Sequence, residues 1–343
     1  MTMTFSGKWQ DYSISNKVIF VLGKGGTGKT TTAAALGLAA AGAFKKVLVV
    51  SLDSAHSLGD VLKKDLGSKP VQVRQNLFAL ELDLEAAVQS YLKETMTQMK
   101  SLYNYLQVFN LESHLKLLQD SPGTEEYAVL RAITDILRNG AQYDLIIFDT
   151  APTGVTLRVL ALPAITLKWL RGLEKLRLNI LDKRQAVENI SGPKKVKVGR
   201  EWVELAAREK EDAVLREIRR YGREIDGLRE IFSNADVTQG IIVMNPDRLS
   251  ALESKRALAK LAGYGFAVKT AVINRAYPAG LKKEPLGGEI SKLKAEYAHL
   301  EWVLQPDHAG RDLFVEQLLG FGGALLQNKG LKAFFGLGGT DNE

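Results

Sequence analysis

The stretch Gly23-Lys24-Gly25-Gly26-Thr27-Gly28-Lys29-Thr30 constrains this chain more than any other part of it. It follows the apolar, β-branched run Lys17 to Leu22 and opens directly into the alanine-rich stretch Thr31 to Ala41. Strand, glycine loop and helix therefore stand in the order of a P-loop. The glycines let the loop wrap with its N–H groups turned inward, and the helix N-terminus adds partial positive charge, so the cradle suits a polyphosphate. On this reading Gly23, Gly25, Gly26, Thr27 and Gly28 form the backbone wall. Lys29 reaches the β and γ phosphates, Thr30 offers its hydroxyl to Mg2+, and Thr31 touches the α phosphate.

The surrounding pattern agrees. Short apolar runs recur at Lys17 to Leu22, Val47 to Asp53, Leu77 to Asp83, Tyr143 to Thr150, Gly240 to Asn245, Thr270 to Asn274 and Leu300 to Leu304, with helical stretches between them. That alternation predicts an α/β fold, a doubly wound and mainly parallel sheet built on the P-loop, with ligands beyond the strands' carboxyl ends. Residues 1–83, 141–160 and 237–343 form this core on our reading, and 84–140 and 161–236 an inserted helical subdomain. The first insertion has amphipathic spacing through Val88, Tyr91, Leu92, Met96, Met99, Tyr103 and Leu106, and the second opens with an apolar helix from Leu162. Within the second insertion, Ser191 to Gly199 reads as a mobile basic loop. From Lys168 to Glu230 there are 17 Lys/Arg against 12 Asp/Glu, so most of the chain's net charge of +7 falls here.

Two strand-end carboxylates complete the site. Asp53 follows the second strand, where it can orient an attacking water, and the loop with Ser54 and His56 can reorder when a γ-phosphate leaves. The plainer alternative makes Asp53 the cap of a helix beginning at Ser54, a role worth about 1 kcal/mol. Asp149 ends the run Tyr143 to Thr150 in the Walker B manner and would hold Mg2+ through a water or meet the Thr30 hydroxyl. The loop Thr150, Pro152, Thr153, Gly154 then senses the γ-phosphate, with Gly154 able to bring its N–H close.

With Lys24 ahead of the glycines, KGGTGKT resembles the deviant Walker A signature shared by nitrogenase iron protein, partition ATPases, and the arsenical-pump and tail-anchored-protein targeting ATPases. SLDSAHSLGD (51–60), PGTEEY (122–127) and DTAPTGVTLRVLALP (149–163) narrow the resemblance to the arsenical-pump and tail-anchored-protein targeting family, over nearly the whole chain. That resemblance implies ATP as the nucleotide and a homodimer that sandwiches it. Lys24 then crosses to the partner's nucleotide, an arginine-finger chemistry supplied in trans. It also makes Asp53 the water-positioning carboxylate of switch I and Asp149 to Arg158 switch II. Asn274 becomes the adenine reader and Pro306 part of the loop over the ring. The sequence departs from the family at Val155, where a histidine is usual, and in having no cysteine.

The missing cysteines exclude disulfides, thiolate metal sites, iron–sulfur clusters and arsenite sensing through thiols. The N-terminus lacks a secretion-signal layout and no apolar run reaches 18 residues, which predicts a cytoplasmic protein that does not span a membrane. Within the insertions, Met96, Met99, Tyr103, Leu106, Leu162, Leu167, Trp169, Leu170, Leu173 and Leu176 either pack a core or line a groove for a hydrophobic client helix, passed on to a membrane or a membrane-protein receptor. The alternatives are a partition-type ATPase acting on nucleic acid or a membrane surface, and an anion-pump subunit.

Overall fold

The computed structural model describes residues 16–43, 46–55, 57–102, 121–193, 195–198, 201–278, 288–307 and 315–337. His56, Tyr103 and Leu106 lie outside them, as does the side chain of Met99. Ten strands are described: β1 (Lys17–Gly23), β2 (Val47–Ser51), β3 (Val71–Arg74), β4 (Leu77–Glu81), β5 (Leu145–Asp149), β6 (Lys195–Val198), β7 (Glu201–Glu204), β8 (Thr238–Met244), β9 (Val268–Ile273) and β10 (Glu301–Leu304). The helices are α1 (Lys29–Ala40), α2 (Ser57–Leu62), α3 (Leu84–Leu102), α4 (Thr124–Asn139), α5 (Thr153–Ser191), α6 (Ala213–Ser233), α7 (Arg248–Gly263), α8 (Gly288–Glu296), α9 (Val315–Leu326) and α10 (Lys329–Phe335).

Eight strands form one sheet in the order β10-β9-β8-β1-β5-β2-β4-β3. Every pairing in it is parallel except β3 with β4. The α/β, doubly wound, mainly parallel architecture expected from the alternating runs is therefore present. Central strands read as continuous apolar runs because both faces are covered: β2, β5 and β8 are buried throughout. Phe20 stacks on Phe148 at 4.8 Å and meets Phe232 and Phe266 edge-on, both at 5.6 Å. On the other face the alanines of α1 let a neighbouring helix approach closely. Gly322 of α9 lies so near the Ala35 carbonyl that a Cβ there would sit 1.9 Å from the oxygen.

The described residues divide into two compact units, one drawn from Glu85–Arg131 and Ala161–Glu230, the other from Ser13–Leu84, Ala132–Leu160 and Ile231–Glu343. The division falls inside α4, α5 and α6 and at the first residue of α3. The first unit buries Val88, Leu92 and Met96 of α3 and Leu167 and Leu181 of α5, and several of its charges are paired. Arg177 grips Asp212 through two hydrogen bonds of 3.0 and 2.6 Å, and Arg131 bridges Glu94 and Glu224 at 3.2 and 3.4 Å.

Two features differ from the sequence reading. Lys195 to Val198 is no loop: its alternation pairs as β6 against β7, setting Lys195 opposite Glu204 and Lys197 opposite Trp202. β3 is a short edge strand with alternating exposure that the apolar-run criterion passed over. α5 is also long and apolar enough, by length and composition, to cross a membrane, and 44% of its apolar window is buried within the protein. A helix that packs one face and exposes the other passes the same test.

Candidate active site

Strand register brings the motif residues together. β1 lies between β5 and β8, with Val21 level with Asp149 and Gly23 level with Val243, and β2 places Ser51 level with Asp149. The P-loop, Asp53 and Asp149 thus leave one sheet edge side by side. Within the loop, the buried Thr27 hydroxyl donates to the Lys24 carbonyl at 2.8 Å and fixes the turn. Gly28 enters α1 in the left-handed region, at φ 92°, with no side-chain cap, so the first N–H groups of α1 lack intrahelical partners. Gly25 and Gly26 are exposed on the loop's outer turn, and Thr31 is half-buried in the first turn of α1. Gly23 has no room for a Cβ, which would fall 2.3 Å from the Val243 carbonyl oxygen.

Lys29 is 5% exposed and points back into the cradle, donating to the Lys24 carbonyl at 3.3 Å. Burial lowers its pKa, and the carboxylates of Asp149 and Asp53 oppose that shift. Asp149 is fully buried, and neither of its oxygens has a hydrogen-bond donor. Burial pushes its carboxyl up to about 6, against the downward pull of the Thr30 hydroxyl, the Lys29 ammonium and the Ser51 hydroxyl. The hydroxyls stand near enough to act on the charge without forming well-shaped hydrogen bonds to it. Orphaned carboxylate oxygens beside a threonine hydroxyl fit an oxygen-seeking divalent cation such as Mg2+, so the residues present suit the metal that the motif implies.

Asp53 is half-buried and accepts the Ala55 N–H at 3.2 Å, closing a local turn; α2 begins at Ser57, so Asp53 does not cap it. Ser54 is exposed in that turn. The second loop follows Asp149: the buried Thr150 hydroxyl donates to the Val21 carbonyl at 2.8 Å, tying it to β1. Pro152 is exposed, and Thr153 and Gly154 form the first turn of α5, where a Cβ on Gly154 would find only the Arg158 guanidinium, at 4.0 Å. Asn274 lies across the loop, its side-chain amide donating to the Thr27 carbonyl at 2.8 Å. Pro306 follows β10 beside the segment after Asn274, where Ala276 N–H donates to Gln305 and Asp307 N–H to Tyr277.

Three contacts at the site carry no sequence signal. The Ser57 hydroxyl stands 3.3 Å from that of Thr30, the buried Glu81 accepts the Gly59 N–H at 2.9 Å and anchors α2, and Lys24 pairs with Glu253 of α7 at 3.3 Å. Each joins residues far apart in the chain, outside any motif or period.

Comparison with known proteins agrees with this geometry. The family profile described as "Anion-transporting ATPase" matches residues 16–297. A "Putative arsenical pump-driving ATPase 1" of Aquifex aeolicus is 29% identical over 269 residues, covering 76% of this chain and 64% of the relative. An "ATPase get3" of Aspergillus terreus is 29% identical over 259 residues, 75% of this chain and 72% of the relative. An "ATPase ASNA1 homolog 1" of Paramecium tetraurelia is 36% identical over 189 residues, 51% of this chain and 52% of the relative. This chain thus spans less than two thirds of the length of two of these three. A P-loop at the centre of a parallel sheet, a buried carboxylate without a hydrogen-bond donor, and a family match over most of the chain converge: the protein belongs to the anion-transporting ATPase family.

Proposed function

We propose that the protein hydrolyses ATP as a nucleotide-sandwich homodimer, and that α5 transmits the state of the site to a surface that takes a hydrophobic client segment. One observation carries this reading. α5 starts at Thr153, immediately after the loop from Asp149, and continues unbroken to Ser191. Along it Ile165, Trp169, Leu173, Leu176, Val187 and Ile190 are exposed, with Trp169 at 70% and Ile190 at 85%. They fall on one arc of the helix, the spacing of an unpartnered apolar face. Leu167 and Met96 are buried instead, so the apolar candidates divide between a core and this face. Pro163 lies inside α5 and leaves that position without a helical N–H.

In the site, Lys29 and the loop N–H groups bind the triphosphate, and Thr30 with Asp149 would hold Mg2+, which would offset the phosphate charge. Asp53 accepts from the attacking water and orients it. Lys24, on the loop's half-exposed outer turn, lends its ammonium to the partner's nucleotide, as the family resemblance implies. Ser54, Thr150, Pro152, Thr153 and Gly154 change position when the γ-phosphate leaves, while Asn274 and Pro306 stand on the base side. The cysteine-free composition supports a cytoplasmic setting.

Exposed Lys168, Arg171 and Lys175 border the apolar arc and favour a second reading, attachment to nucleic acid or an anionic membrane. Asp53→Asn, which should trap the ATP-bound form, discriminates. Recovery of apolar segments that stay bound between 50 and 200 mM salt supports the client reading; capture of nucleic acid or lipid that falls off steeply over that range supports the second.

A further inference from the structure

The contacts of Asn274 reach past base recognition. Its amide faces the Thr27 carbonyl at 2.8 Å on one side and the Arg275 N–H at 3.0 Å on the other. Thr27 offers only an acceptor and Arg275 only a donor, so the NH2 must face the loop and the oxygen must face Arg275. The amide is fixed from behind as well, because the Asn274 N–H donates to the Met244 carbonyl of β8 at 2.8 Å. The chain then turns away through Arg275 in the left-handed region, at φ 54°. On the loop side the fit leaves no slack: a Cβ on Gly28 would lie 2.3 Å from the Asn274 amide nitrogen. A side chain from the end of β9 thus occupies the space that the fourth glycine of the P-loop leaves open.

We infer that Asn274 is a positioning residue of the phosphate site, a brace that holds the Thr27–Gly28 peptide so that the following N–H groups face the β and γ phosphates. The inference rests on the phosphate-binding reading above and adds to any contact between Asn274 and a base. One N–H of the amide is committed to the loop; the other remains for a base. A brace of this kind acts on every ligand with a triphosphate, whatever base it carries or lacks.

The test measures binding of ATP, GTP and inorganic tripolyphosphate, each with Mg2+, to the full-length protein and to Asn274→Ala and Asn274→Leu, the second filling the volume without a donor. Loss of one hydrogen bond predicts that tripolyphosphate binding weakens about two- to tenfold in both variants, with ATP weakened at least as much. The unliganded melting temperature stays within a few degrees of the parent's. Unchanged tripolyphosphate affinity, with loss confined to ATP, would overturn the brace and leave only base reading. Failure of both variants to fold would overturn it too, because a local brace is worth too little to hold up the core. A parent protein that binds none of the three ligands refutes the phosphate reading instead.

Discussion

Asp149→Asn should stabilise the protein in the absence of nucleotide and metal. The buried carboxylate has no hydrogen-bond donor, and its pKa stands near 6 where an ordinary aspartate has 3.8. Folding therefore favours the neutral form, and holding the ionised one costs about 3 kcal/mol. That penalty is fully present above pH 6, shrinks as pH falls between about 6 and 4, and is absent below the unfolded value. Asparagine removes the charge at nearly constant volume. Part of the gain is offset because the buried Lys29 ammonium loses an attracting carboxylate, so about 1–2 kcal/mol should remain at pH 7.5. Urea unfolding in EDTA at pH 7.5 and pH 4.5 reads the effect directly. The variant should be more stable at the higher pH and the gap should narrow at the lower. Added Mg2+ and ATP should reverse the ranking, stabilising the parent and leaving the variant nearly unmoved. A variant less stable than the parent at pH 7.5 without metal would show that the carboxylate is satisfied in the empty protein and does not await a cation.

Two further substitutions probe the loop. Gly28→Ala places a Cβ against the Asn274 amide at a φ of 92°, a left-handed conformation that alone costs about 1–2 kcal/mol; isothermal titration should find ATP binding weakened at least tenfold, and near-parental affinity would mean that loop and amide separate freely. Glu253→Gln frees Lys24 in each protomer from a half-exposed ion pair worth about 0.2–1 kcal/mol, so with two such pairs in a dimer ATP-dependent dimerisation by analytical ultracentrifugation should strengthen no more than about thirtyfold with nucleotide affinity unchanged. Weaker dimerisation would instead make Glu253 part of the closed state.

Legibility in the sequence followed locality. The P-loop and Asp149 could be read because strand, loop and helix are contiguous, and the parallel register carries Val21 to the level of Asp149 without further information. The same locality places Asp53 just beyond the end of β2, and the next helix begins only at Ser57. β3 escaped because four residues of alternating exposure at a sheet edge lack an apolar run. The hairpin of β6 and β7 escaped because its alternation follows Gly192-Pro193, which reads as a turn. Composition made α5 apolar but could not say which of its residues find partners: Leu167 is buried and Trp169 is not, two positions apart. Contacts such as Lys24 with Glu253, Asn274 with Thr27 and Glu81 with Gly59 depend on how distant elements meet, and no periodicity encodes that.

The claim that one protomer completes its partner's site can be tested by mixing Lys24→Ala with Lys29→Ala. Alone, each should be nearly inactive, the first lacking the lent ammonium and the second a working phosphate grip. In a mixed dimer the intact P-loop of the first receives Lys24 from the second, so one site of two is whole. Random re-association makes half the dimers mixed, and ATP turnover should return to about a quarter of the parent's. A mixture as silent as its components, with both variants folded and Lys24→Ala still binding ATP, would contradict the account.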